Sequence, residues 1–153
     1  MTYFNELFRY NAGFAVEIVK SLKTIEKAKF IDEKICAWGS LRNLVVHLIE
    51  AEDFWINKVI KGSEFNRYEY DDFNDYEAVE EKWEEIEADI LLYVEGLRES
   101  DLKQEKTVKW DKEYTYPLEK MLQHLYTHTV HHRGQIVAGI SALGGKAPYV
   151  DII

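Results

Sequence analysis

The stretch Leu122-Gln123-His124-Leu125-Tyr126-Thr127-His128-Thr129-Val130-His131-His132-Arg133-Gly134-Gln135-Ile136 holds four of the five histidines in the chain. Leu118, Met121, Leu122, Leu125, Ile136, Ile140 and Leu143 fall on the three-and-four spacing of an amphipathic helix. His128 and His132 interrupt that stripe. Two residues four apart lie one turn from each other on one helix face, about 6 Å of rise, so their imidazoles can converge on one ion. The same spacing also suits core histidines hydrogen-bonded to a carbonyl or a carboxylate. A third ligand decides between these readings, and the remaining histidine is His47.

With 153 residues and 46% hydrophobic content, the chain reads as one domain, residues 1–153, able to bury a core without staples. The net charge of −9 is unevenly spread: residues 64–101 carry 15 acidic against 3 basic side chains, so the remainder is slightly basic. Such an acidic run reads as a solvated helix face. A chain of this sign lacks the basic stripe that neutralises phosphates, which argues against nucleic acid as a main partner and against anionic membrane surfaces. No apolar run approaches the roughly 18 residues needed to cross a bilayer, and the N-terminal residues do not read as a signal peptide. These features predict a cytoplasmic protein with no membrane association. Cys36 is the lone cysteine, so any metal must rest on nitrogen and oxygen. With no helix start or histidine adjacent to lower its pKa, that thiol reads as a small apolar residue.

Outward from the histidine stretch, Phe4, Leu7, Phe8, Asn11, Ala15, Ile18 and Leu22 form one stripe and predict a first helix of about 20 residues with Thr2 as its cap. Asn11 on that line reads as a hydrogen-bonded core amide. Residues 24–39 lose the periodicity and read as a packed connection. Ser40 caps a second helix carrying Leu41, Leu44, Val45, Leu48 and Ala51, which Gly62 and Ser63 end. His47 lies within that series, facing the edge of the core. Glu50 and Asp53 are either surface acids or, as a ligand or an acceptor orienting an imidazole, part of a site. Phe65, Tyr68, Tyr70 and Phe73 make the next loop too aromatic for a plain linker, so it either lids the bundle or faces a partner. A third helix is predicted from about Asp75 to Arg98. Residues 105–116 alternate like a short β-hairpin, and Pro117 suits the first turn of a fourth helix, which Gly144 and Gly145 stop. There are no internal repeats. Four amphipathic helices predict an all-α four-helix bundle, with the hairpin before the last helix.

Several motifs together resemble the DinB/YfiT-like family across nearly the whole chain. They are Tyr10-Asn11, the pattern from Ser40 through His47-Leu48 to Glu52, His128-Thr129-Val130-His131-His132-Arg133-Gly134-Gln135, and a Gly…Pro…Asp tail. The resemblance implies that one histidine of the second helix and the first and last of the fourth-helix motif bind a divalent metal. Carried across, these are His47, His128 and His132. His131 should then point to the helix flank, and His124, one turn before His128, is a marginal candidate. Arg133, Gly134 and Gln135 match the family without an assignable metal role. Gly134 reads as a point of close helix approach, and Arg133 as a polar contact at the end of the bundle. The chain departs from the family at Gly13-Phe14, where an aromatic often follows the Tyr-Asn pair sooner, which bears on the pocket wall.

Three neutral nitrogens leave one coordination position for water or substrate, an arrangement that suits Lewis-acid chemistry. Imidazole ligation admits zinc, nickel, copper or iron, with zinc or nickel favoured here. The resemblance implies a thiol-dependent S-transferase using a low-molecular-weight thiol of the bacillithiol, mycothiol or glutathione type and a small-molecule substrate. A metal-dependent hydrolase and a non-catalytic metal- or ligand-binding stress-response protein are the alternatives. The aromatic loop and the habit of relatives to pair predict a homodimer.

Overall fold

The computed structural model describes residues 2–32, 34–35 and 37–149. Five helices arise among the described residues: α1 (Tyr3–Leu22), α2 (Lys27–Asp32), α3 (Leu41–Asp53), α4 (Tyr76–Glu95) and α5 (Leu118–Ala142). The long ones are those that the three-and-four spacing predicts. Both α1 and α3 pack against α4 and α5, which closes a ring of four helices. Phe8, Ile18, Leu44, Trp83, Ile90 and Leu122 fill it. Before α5 runs the expected hairpin, in which β1 (Glu105–Lys109) pairs antiparallel with β2 (Glu113–Pro117) and Thr107 lies opposite Thr115. No described helix is long and apolar enough to cross a membrane.

The ends of the helices follow local chemistry. The Thr2 N–H donates to Asn5 Oδ1 at 2.7 Å, and the Asn43 N–H donates to Ser40 Oγ at 3.3 Å, satisfying amides that a first turn leaves open. Gly62 ends the second long helical run in the left-handed region, at φ 75°. Pro117 sits one residue earlier than the sequence predicts. It closes β2 with φ −62° and ψ 146°, extended backbone whose φ a helix shares but whose ψ it does not.

Two features carry no sequence signal. The connection over 24–39 contains α2, which exists to bury Phe30. After Asp53 the helix widens into a π-helical stretch, Phe54–Lys61, that buries Trp55, Ile56, Val59 and Ile60. Those apolar spacings fit an α-helix equally well, so periodicity cannot separate the two. Cys36 and the Asp of the tail, Asp151, lie outside the described residues.

The close approach expected at Gly134 occurs instead at Gly139. A Cβ on Gly134 would meet nothing within 4 Å, whereas one on Gly139 would come to 2.6 Å from Ile35 Cδ1 and 2.9 Å from Leu41 Cδ1. Gly139 is thus what lets α5 lie close to the start of α3. The aromatic loop, for its part, folds back on its own bundle. Phe73 is buried, Tyr68 stacks on it at 5.5 Å, and Phe65 meets Phe54 edge-on at 5.3 Å.

Candidate metal centre

Because α3 and α5 pack against each other, residues far apart in sequence share one surface. His47 projects from α3, and His128 and His132 project from successive turns of α5. One ring nitrogen from each falls within 4.8 Å of the others. Nε2 of His128 and Nε2 of His132 lie 3.1 Å apart. The His132 Nδ1 donates to Gln135 Oε1 at 2.8 Å, which leaves its Nε2 lone pair facing the other two rings. Gln135 is the residue that the sequence left without a role. Its position three after His132, one turn on, is the signal that would have revealed it.

Burial lowers the pKa of His47 to about 4, helped by the charge of His132. It does the same to His128, also to about 4, with the neighbouring histidines contributing. His132 is lowered by burial while its bond to Gln135 works in the opposite direction. All three are therefore neutral near pH 7, with lone pairs available to a metal. Trp38 stacks on His47 at 3.7 Å between ring centres and holds the imidazole from its exposed side.

The remaining candidates stand apart. His131 is exposed on the flank of α5, as its 100° offset requires. His124 packs on Trp55 at 4.5 Å and does not join the group of three. Glu50 and Asp53 are occupied elsewhere, since Glu50 Oε1 accepts the Tyr68 N–H at 3.2 Å and Asp53 Oδ2 accepts the Tyr68 hydroxyl at 2.7 Å. Both acids fasten the aromatic loop and neither orients an imidazole.

Behind the histidines lies a buried polar layer that ties all four long helices together. Glu52 accepts from the Thr129 hydroxyl at 2.8 Å and from Trp83 Nε1 at 2.9 Å. Asn11 donates to Glu87 at 2.7 Å and accepts from Arg133 at 3.3 Å, while the guanidinium lies 4.5 Å over the Phe14 ring. Asn11 is the satisfied core amide that the sequence predicts. Arg133 is buried in the bundle's interior and not at its end. Burial raises Glu52 to about 7 and, together with the charge of Glu52, raises Glu87 well above the ordinary carboxylate range. One arginine facing two buried carboxyls favours retention of a proton by the pair.

On the outer side of His47 a cleft of about 550 Å³ opens between the aromatic loop and the hairpin. The protein thus offers three converging nitrogens, with the cleft reaching the group on its His47 side. That donor set fits a divalent ion with an open position and does not fit a closed four-ligand structural site.

Fold and cluster together define a class: four-helix bundles in which two facing helices present a three-histidine group suited to a divalent metal. The chain belongs to the DinB family, whose profile matches residues 1–153. Among solved structures it is similar to a DinB-like protein from Bacillus cereus ATCC 10987, with a TM-score of 0.73 and 17% identity over 97% of this chain and 95% of that one. At that identity the likeness is one of fold. No curated protein matches significantly.

Proposed function

We propose that this protein is a metal-dependent S-transferase, in which His47, His128 and His132 hold zinc or nickel and a low-molecular-weight thiol of the bacillithiol type is joined to a small electrophile. The observation that carries the reading is the convergence of three neutral ring nitrogens within 4.8 Å at the edge of an open cleft. When bound, a divalent ion lowers the pKa of a coordinated thiol or water and so supplies a nucleophile at neutral pH. The chain's own residues do the rest. Gln135 fixes the tautomer of His132, Trp38 stacks against His47, and the aromatic walls of the cleft offer flat apolar surface to a substrate. A hydrolase would use the same ligands and differ only in activating water, and a binding module would stop at ligation.

The protein as purified should contain about one divalent ion per chain by elemental analysis, and the His128→Ala variant should contain little, because two nitrogens do not hold an open site. Thiol consumption with bacillithiol, mycothiol or glutathione and a panel of alkyl and aryl halides then separates the classes. Ester or amide hydrolysis without thiol consumption would move the reading to hydrolase, and metal without either activity to a binding module.

The reading also places the protein in the cytoplasm and as a homodimer. With the loop aromatics folded on their own bundle, the surface for pairing is the apolar groove between α1 and α4. It is lined by Ala12, Ala15, Val16, Val19 and Leu91, and the next residue of α4, Leu92, is a large exposed apolar side chain.

A further inference from the structure

The cleft beside His47 is lined by more basic than acidic side chains. Two cations reach it from separate segments, Arg67 from the aromatic loop and Lys109 from the end of β1. Among the described residues, neither has a carboxylate within ion-pair distance, although most of the acidic surplus of the chain lies nearby in sequence to Arg67. The acid of the cleft, Glu50, already accepts the Tyr68 N–H. Counting Arg67, Lys109 and Glu50, the lining carries a net charge of about +1 in a chain of −9. Its walls are flat: Trp38, Phe54, Phe65 and Trp110.

We infer that this cleft binds a small monoanionic carboxylate with a flat apolar body, the carboxylate held between Arg67 and Lys109 and the body laid against the aromatic walls. A guanidinium meets a carboxylate through two parallel N–H donors, and an aliphatic ammonium adds a point charge from the other bank. A net charge near +1 matches a monoanion, whereas a dianionic phosphate would remain undercompensated beside Glu50. The volume, about 550 Å³, is that of a site for a small molecule. The inference rests on the proposed function only in that it names what the metal's neighbour would be. The carboxylate belongs either to the thiol or to its acceptor.

The test uses the metal-free protein, where a carboxylate cannot bind an ion, and reads binding by calorimetry and by tryptophan fluorescence. The probes are 3-phenylpropanoate, its neutral amide and phenyl phosphate. The carboxylate should bind about tenfold more tightly than the amide, the worth of a charge-assisted pair. The Arg67→Gln/Lys109→Gln double variant should lose that preference while binding the amide as before, and Lys29→Gln, an exposed lysine that does not line the cleft, should retain it. Equal affinity for acid and amide, a preference that survives the double variant, tighter binding of phenyl phosphate, or no measurable binding of any probe would each overturn the inference. Zinc titration of the same proteins is read separately. A wild type that takes no zinc sinks the proposed function without touching the carboxylate result. In the zinc-loaded protein, 3-mercaptopropanoate against 2-mercaptoethanol assigns the carboxylate to the thiol if the double variant removes the advantage of the former, and to the acceptor if it does not.

Discussion

At the scale of single residues, the most informative contact is the one between His132 Nδ1 and Gln135 Oε1. An amide oxygen at that nitrogen fixes which tautomer His132 adopts and so which nitrogen is free. Gln135→Ala should lower zinc affinity about 10–100-fold, the usual weight of an acceptor behind a ligating imidazole, with helicity unchanged. Calorimetry beside circular dichroism reads both, and unaltered affinity would remove Gln135 from the site. His131→Ala should behave as wild type in the same titration, because its ring lies on the flank. The two glycines of α5 make an opposed pair. Gly134→Ala, on an exposed helix face with open space around it, should stabilise by about 0.5–1 kcal/mol. Gly139→Val pushes carbon into Ile35 and Leu41 and should destabilise by about 1–3 kcal/mol. Urea denaturation ranks them, and equal effects would contradict the packing described.

At the scale of elements, the titratable groups held between the helices set how stability varies with pH. His47 and His128 have folded pKa values near 4 against about 6.5 unfolded. Between those limits the unfolded chain binds more protons, so their contribution is complete above pH 6.5 and is lost as pH falls through 4. Glu52 runs the other way. Its folded value, about 7, exceeds the ordinary 4.5, so its contribution is complete below pH 4.5 and is lost as pH rises through 7. Glu52→Gln should therefore gain on wild type in urea denaturation between pH 5 and pH 8. A constant gap between the two proteins would show that Glu52 titrates as a surface acid.

The long elements were legible in the sequence because each has one apolar stripe and a chemical stop: Ser40 before α3, Gly62 after its extension, the glycines after α5. The metal candidates were legible for a different reason, since His128 and His132 declare themselves by spacing and His47 by elimination and resemblance. The rest was hidden because it depends on which helix faces which. Glu87 looks like any acid of α4 until Asn11 is placed against it, and Arg133 looks like a surface cation until the Phe14 ring is found beneath it. The π-helical turn preserves an apolar pattern that an α-helix would also give.

At the scale of the whole molecule, a metal at the three histidines would clamp α3 to α5, so it should act on global stability. Adding zinc to the metal-free protein at 100 times its dissociation constant should raise stability by about 2.7 kcal/mol, visible as a higher melting temperature that a chelator reverses. If the chain is one domain, that transition will be single and cooperative, with circular dichroism and tryptophan fluorescence coinciding. Pairing through the α1–α4 groove predicts that light scattering at micromolar concentration gives twice the chain mass of 18.0 kDa, and that Leu92→Glu returns it to the chain mass. A wild type that scatters as 18.0 kDa would dispose of the dimer.

The division of the cluster between α3 and α5 also sets an order of events during synthesis. About half of the polypeptide separates His47 from His128, and α5 is the last helix described. A chain made only as far as the hairpin carries one of the three imidazoles, His47. A metal held by all three imidazoles would be captured only once α5 has docked on α3.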